Sequence, residues 1–149
     1  MYCHFAPPCG TCSRAREIRL RDVPGGGPPP LKSDSYPLGS PNLASDYPKE
    51  YPRVQTASEL YSFMAKCIPT LMDRSIALSI KNPAISLLWQ IPDVKSIMDK
   101  ADIDMVTLQH CAYGGERPKR IGFLHFPGGF LRELRAVCPG ISDTHKHAA

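Results

Sequence analysis

The chain contains no stretch approaching eighteen consecutive apolar residues, so nothing in it is long enough to span a bilayer as a helix. Its first residues, Met-Tyr-Cys-His-Phe-Ala-Pro-Pro, lack a basic region followed by an apolar run, so no secretory signal peptide is visible. Charge of one sign is also scarce: 18 Lys and Arg stand against 14 Asp and Glu, a formal net charge of +4. That balance does not demand a nucleic-acid partner and permits one only where the cations cluster. No internal repeat is present. Without a secretory signal, the six cysteines read as reduced thiols rather than a disulfide framework. Proline is what the chain has in excess, 16 of 149 residues, so a sizeable part of it is expected to be loop. The length fits one domain, and 42% apolar residues suffice for one modest core. An intracellular, soluble domain of mixed structure is the expectation.

Four segments follow from the pattern. In residues 1–21, a short apolar stub at 2–5 is stopped by Pro7 and Pro8 and suits the last residues of a strand. A complete α/β domain would carry a strand and helix before this point, so the chain is expected to begin within a fold. Arg14, Arg16, Arg19 and Arg21 then predict a short basic turn at most. Residues 22–52 hold eight of the sixteen prolines, with Gly25-Gly26-Gly27 and Pro28-Pro29-Pro30 back to back. No helix or inner strand is expected there, only a long Pro/Gly-rich loop that reads as a disordered flap.

Residues 53–138 alternate strand and helix signals. Thr56-x-x-Glu59 is a capping box before the apolar stripe of Leu60, Tyr61, Met64, Cys67, Ile68, Leu71 and Met72. Pro69 is expected to kink or end that helix near Ile68, at about 3 kcal/mol if unrelieved. Residues 76–80 suit a buried strand that breaks at Lys81-Asn82-Pro83, and 86–89 and 93–100 read as helical turns around Pro92. A second strand is expected over 105–111 and a third over 121–126. An amphipathic helix carrying Phe130, Leu131, Leu134, Val137 and Cys138 should follow. Residues 139–149 are a polar tail expected to fray. The alternation predicts an α/β fold with a mostly parallel sheet, whose sites form beyond the carboxyl ends of the strands. Three strand exits therefore matter: Pro7-Pro8-Cys9, Lys81-Asn82-Pro83 and Tyr113-Gly114.

Pro7-Pro8-Cys9-Gly10-Thr11-Cys12-Ser13 sets a cysteine on a stiff, exposed turn, where Arg14 and Arg16 could favour the nucleophilic thiolate. The pattern resembles the active-site loop of the cytosine-5 DNA methyltransferase family, in which Pro-Pro-Cys is followed four residues on by Ser; Ser13 stands at that place. Two further matches come in the family's order. Ile80-Lys81-Asn82-Pro83, then Ser86-Leu87-Leu88-Trp89, resembles the Glu-Asn-Pro variant of small phage-type members. Tyr113-Gly114-Gly115-Glu116-Arg117-Pro118-Lys119-Arg120, leading into Ile121-Gly122-Phe123-Leu124, resembles the family's Tyr-Gly and Arg-rich entry to a strand. The likeness covers most of 3–126 apart from the Pro/Gly-rich loop.

This resemblance implies an incomplete class I methyltransferase-like (Rossmann-like) α/β sheet, DNA as partner and S-adenosylmethionine as cofactor. Cys9 would add to C6 of a flipped-out cytosine, extrusion being required because C6 is inaccessible in a stacked duplex. The candidate catalytic residues are Cys9, Lys81 and Asn82. The candidate substrate-binding residues are Pro8, Ser13, Pro83, Arg117, Lys119 and Arg120, with Pro83 shaping a base pocket beside Asn82 and the cations holding phosphate or the loop.

The departures are chemical. Lys81 stands where the family has a glutamate that bonds N3 and the exocyclic amine. An ammonium has three donors and no acceptor, so it can face N3 but repels the amine hydrogens. The Gly-rich strand-to-helix turn for S-adenosylmethionine is absent from this chain, and Gly25-Gly26-Gly27 lies among prolines. The chain is therefore expected to be inactive alone, needing a missing N-terminal segment or partner chain for cofactor binding. A nuclear location would suit a DNA-directed member.

The alternatives are a non-enzymatic nucleic-acid or protein-binding relic, or a small zinc-binding domain. Cys3, His4, Cys9 and Cys12 would be the zinc ligands, but Cys3 and His4 are adjacent and the prolines stiffen the link, so no metal set is assigned. His110-Cys111 with His145 and His147 is a poorer set because the tail should fray. Cys67, Cys111 and Cys138 read as core packing.

Overall fold

Four short apolar runs become strands in the computed structural model, which describes residues 1–142 and 144–147. They are β1 (Tyr2–Phe5), β2 (Ala77–Pro83), β3 (Asp104–Gln109) and β4 (Arg120–Phe126). One sheet holds them in the order β1-β2-β4-β3. β1 lies parallel to β2 with Phe5 beside Ile80, and β4 runs antiparallel to both β2 and β3. The fold is mixed α/β, but the expectation of a mostly parallel sheet is corrected: of the three pairings between these four strands, one is parallel. Connection length is the reason. Only residues 110–119 separate β3 from β4, and a parallel crossover needs a dozen residues or more.

β3, antiparallel to β4, runs in the same sense as β1 and β2. The carboxyl ends of these three strands and the beginning of β4 therefore share one edge of the sheet. The short strand β1 reaches that edge at Phe5, just before Pro7-Pro8-Cys9.

Three α-helices occur among the described residues: α1 (Leu43–Asp46), α2 (Tyr51–Asp73) and α3 (Pro92–Met98). α2 begins upstream of the Thr56 capping box, leaving that motif inside the helix. Pro52 lies in its first turn, where a missing N–H leaves no bond unmade. Nor does the helix end at Ile68. Pro69 sits in its last stretch, and Leu71 and Met72 beyond it pack against the core, which offsets the lost backbone bond. Leu78, Ile80 and Leu124 form the buried sheet face, packed with Tyr61 and Ile68 of α2 and Val94 of α3. Trp89 donates from Nε1 to the Pro83 carbonyl at 2.8 Å, tying the end of β2 to the turn at Leu87–Gln90.

Two further expectations change. Residues 22–52 are not a free flap: they carry a 3-10 turn at Pro24–Gly26 and the one-turn α1, and bury Leu31 and Leu43 against Val54 of α2. Lys32, only 4% exposed, donates to Ser58 Oγ at 3.0 Å. The helix expected over 130–138 is also absent, replaced by a single 3-10 turn at Arg132–Leu134. Gly128 and Gly129 weaken a helix start, and the chain instead satisfies the open edge of β3. Ala136 bridges Leu108, and Gln109 N donates to Ala136 O at 2.8 Å.

Among the described residues no helix is long and apolar enough to cross a membrane. Leu31→Ala should lower stability by about 2–5 kcal/mol, the usual result of truncating a buried leucine. Urea unfolding measures it, and a loss under about 0.5 kcal/mol would show that the Pro/Gly-rich segment does not pack on α2.

Candidate functional site: a cysteine cleft at the sheet edge

The loop after β1 contains two prolines that cannot donate backbone hydrogen bonds, so its conformation depends on what its carbonyls accept. Nearly every one is taken. Asn82 Nδ2 donates to Pro7 O at 3.1 Å, and the Tyr61 hydroxyl donates to Pro8 O. Cys12 N donates to Cys9 O at 3.0 Å and Arg16 Nε to Gly10 O at 2.8 Å. Leu87 N donates to Cys12 O at 2.9 Å. The donors come from β2, α2, the basic turn at Arg14–Glu17 and the turn after β2, so the Cys9 loop is fixed by four separate parts of the fold.

The half-buried Cys9 side chain opens on a cleft of about 200 Å³ lined by Pro7, Pro8, Lys81, Asn82, Pro83 and Lys119. Asn82 is 1% exposed. Because the Pro7 carbonyl can only accept, the amide nitrogen must face it, which leaves Oδ1 as the free acceptor. That oxygen has no hydrogen-bond partner. An unmet buried acceptor costs about 1–3 kcal/mol. A larger groove lies between α2 and residues 38–43, but it collects neither cysteine nor histidine.

The structure thus brings together Pro8, Cys9, Lys81, Asn82, Pro83 and Lys119 and leaves three candidates outside. Ser13 caps the 3-10 turn, its Oγ accepting from Ala15 N at 3.3 Å. Arg120 opens β4 and lines a different groove with Thr107, Gln109 and Arg135. Arg117 lies on the exposed connection between β3 and β4.

The arginines near Cys9, expected to favour its thiolate, are held by other partners. Arg14 pairs with Asp34 and, at 3.1 Å, with Glu17. The hydrogen bond from Arg14 draws the Asp34 carboxyl below its ordinary range. Arg16 also donates to Pro29 O at 3.0 Å, and Arg19 to Gly25 O at 2.9 Å. These cations build the loop. The cations that line the cleft are the lysines.

Sequence reasoning did not assign Tyr61 or Lys32 to this support. Tyr61 read as one more position in an apolar stripe, and Lys32 as loop; only tertiary packing stacks them, with Nζ 4.7 Å from the ring centre. Burial pushes the Lys32 ammonium below its ordinary 10.5 and the Tyr61 phenol well above its ordinary 10.0. The zinc set of Cys3, His4, Cys9 and Cys12 does not form. Cys12 is fully buried, Cys3 packs against the core, and His4 Nδ1 lies 2.7 Å from Ser79 Oγ.

No protein-family model, curated protein or solved structure matches this chain.

Tyr61→Phe should lower stability by about 1–3 kcal/mol by leaving the Pro8 carbonyl unmet, and should speed alkylation of Cys9. Unchanged urea midpoint and labelling rate would remove the phenol from loop support. Lys32 yields a pH prediction. Its folded pKa is depressed, so the unfolded chain binds more protons between that lowered value and 10.5, and stability rises with pH across the window. Tyr61 opposes this only above its ordinary 10.0. Urea unfolding at about pH 8 and about pH 10 should show a smaller rise for Lys32→Met than for the native chain; equal slopes would contradict it.

Proposed function

We propose that this chain is a cytosine-5 DNA methyltransferase-like segment whose edge cleft takes an extruded pyrimidine, with the nucleophilic cysteine retained and the assisting acid replaced. The observation that carries the reading is convergence. Pro7-Pro8-Cys9 from the exit of β1, Lys81-Asn82-Pro83 from β2 and Lys119 from the approach to β4 line a single cleft, although they stand far apart in the chain. The parallel β1–β2 pair puts both strand exits at the edge where open α/β sheets bind ligands, and antiparallel strands flanking a parallel pair are common in such sheets.

The cleft supplies a specific set of groups. Lys81 is a donor suited to the N3 ring nitrogen of cytosine, and Asn82 and Pro83 form the wall of the cleft beside it. Cys9 thiolate attack at C6 forms an S–C6 bond and moves the C5=C6 electron pair toward C5. In the family a glutamate assists this attack. The Lys81 ammonium can donate to N3 but repels the exocyclic amine hydrogens, so it replaces only part of that assistance and addition through Cys9 is slower here.

The residues present do not fit S-adenosylmethionine. Gly25 and Gly26 lie in a 3-10 turn that no strand leads into and no helix directly follows, so no phosphate- or cofactor-cradling turn forms there. The chemistry open to these residues accordingly stops at the cysteine adduct. The loss of the glutamate and the two lysines in the cleft favour a second reading, base binding without chemistry.

The full chain incubated with single-stranded DNA carrying 5-azacytosine separates these outcomes. A covalent adduct is expected in mass spectra, abolished by Cys9→Ser and formed about 10²-fold faster by Lys81→Glu, within the usual range of acid–base assistance. Salt-sensitive DNA binding without an adduct in either the native or the Lys81→Glu chain would leave base binding alone. An adduct that survives Cys9→Ser, or no DNA binding, would overturn the proposal.

A further inference from the structure

Within the polar tail expected to fray, residues 144–147 return to the exit of β3. Cys111 lies in the 3-10 turn His110–Tyr113 that follows this strand, at the same sheet edge as the cysteine cleft. Cys138, His145 and His147 approach it from the end of the chain, and one ligand atom from each of the four residues lies within 4.8 Å of every other. The separations resemble the edges of a small tetrahedron. Cys138 Sγ is 3.4 Å from His145 Nε2 and 3.4 Å from His147 Nε2, and the two Nε2 atoms are 3.2 Å apart.

A tetrahedral zinc ion binds sulfur at about 2.3 Å and imidazole nitrogen at about 2.0–2.1 Å. Those bond lengths imply edges of roughly 3.3 Å between nitrogens and 3.5 Å between nitrogen and sulfur. The three distances among Cys138, His145 and His147 agree, and the Cys111 sulfur lies within 4.8 Å of each of the other ligand atoms. Two imidazoles presenting Nε2 to each other can share only one proton, and both also face the same sulfur, so hydrogen bonding among themselves leaves lone pairs unused. A cation at the centre uses all four.

The surroundings suit a metal site. Cys138 Sγ accepts from Gly140 N at 3.4 Å, and Cys138 N donates to Gln109 Oε1 at 2.8 Å. Such outer contacts orient metal-binding thiolates. We infer that Cys111, Cys138, His145 and His147 form a structural zinc site that clasps the C-terminal segment to the exit of β3. With four protein ligands it leaves no position open for substrate, which separates it from catalytic zinc. The ion would brace the connection between β3 and β4, the stretch that carries Lys119 to the cleft, but the site stands independently of the reading of that cleft.

Cobalt(II) provides the probe. Reduced full-length protein, stripped of metal with a chelator, is titrated with Co²⁺ and then with Zn²⁺. One equivalent of Co²⁺ should give the visible absorption of a tetrahedral thiolate complex, bleached by one equivalent of Zn²⁺, and Zn²⁺ should raise the melting temperature. Cys138→Ser and His147→Gln should lose the absorption, whereas Cys9→Ser and Cys67→Ser should keep it. Should Cys138→Ser fail to fold by circular dichroism, His147→Gln decides. Overturning results are a folded native chain with no tetrahedral absorption, an absorption that survives His147→Gln, or a Cys111–Cys138 disulfide in the native protein by mass spectrometry.

Discussion

The parallel ladder between β1 and β2 is the contact on which the cleft depends. β1 is four residues long, at the edge of the sheet, and some seventy residues separate it from its partner. Closing a loop of that size costs about 4 kcal/mol in chain entropy, more than a short edge strand returns by its own hydrogen bonds. The remainder comes from the intervening chain. Leu31 and Leu43 pack on Val54, Arg16 grips the Gly10 and Pro29 carbonyls, and Tyr61 reaches from α2 to the Pro8 carbonyl. The Pro/Gly-rich segment is thus part of what positions Cys9. A proline-rich loop suits that role because its backbone has few donors of its own, and side chains from elsewhere must complete it.

Cations in this chain divide by what they touch. Arg14, Arg16 and Arg19 have planar, multiply donating heads, and each is used inside the protein on carboxylates or carbonyls. The lysines are left for the cleft, where Lys81 and Lys119 stand beside Cys9. Lys32 is the exception: its ammonium is buried under the Tyr61 ring and bonded to Ser58. Its burial carries an electrostatic cost that the cation–π contact and the hydrogen bond partly offset. Lys32 is thus a cation that adds to the net charge without adding to the positive surface a partner would meet.

Much of the fold was legible from local pattern. The stub at 2–5, the turns at 86–89 and the strands near 105 and 121 are where apolar runs and their breakers put them. The misreadings share a cause. Pro69 and the capping box at Thr56 are local signals, and both were overridden by burial along α2. The stripe of Phe130, Leu131, Leu134, Val137 and Cys138 has helical spacing, yet the unsatisfied edge of β3 offers backbone bonds that a helix there would forgo. Sheet direction was misread because alternation of elements says nothing of which strands become neighbours. The length of 110–119 carried the missing information.

Residue type and spacing alone determined the chemistry available: a thiol after two prolines, a lysine before Asn82-Pro83, and histidines two apart near the end of the chain. These are properties of side chains and hold in any conformation. Tertiary structure decided which of them meet. It placed Lys119 in the cleft and left Arg117 and Arg120 outside its lining, left Asn82 Oδ1 buried without a partner, and gathered Cys111, Cys138, His145 and His147 rather than the cysteines near the start. The reason is physical: such meetings depend on strand order and on which backbone groups must be satisfied across the sheet, and both are set by long-range burial that no local window of sequence contains.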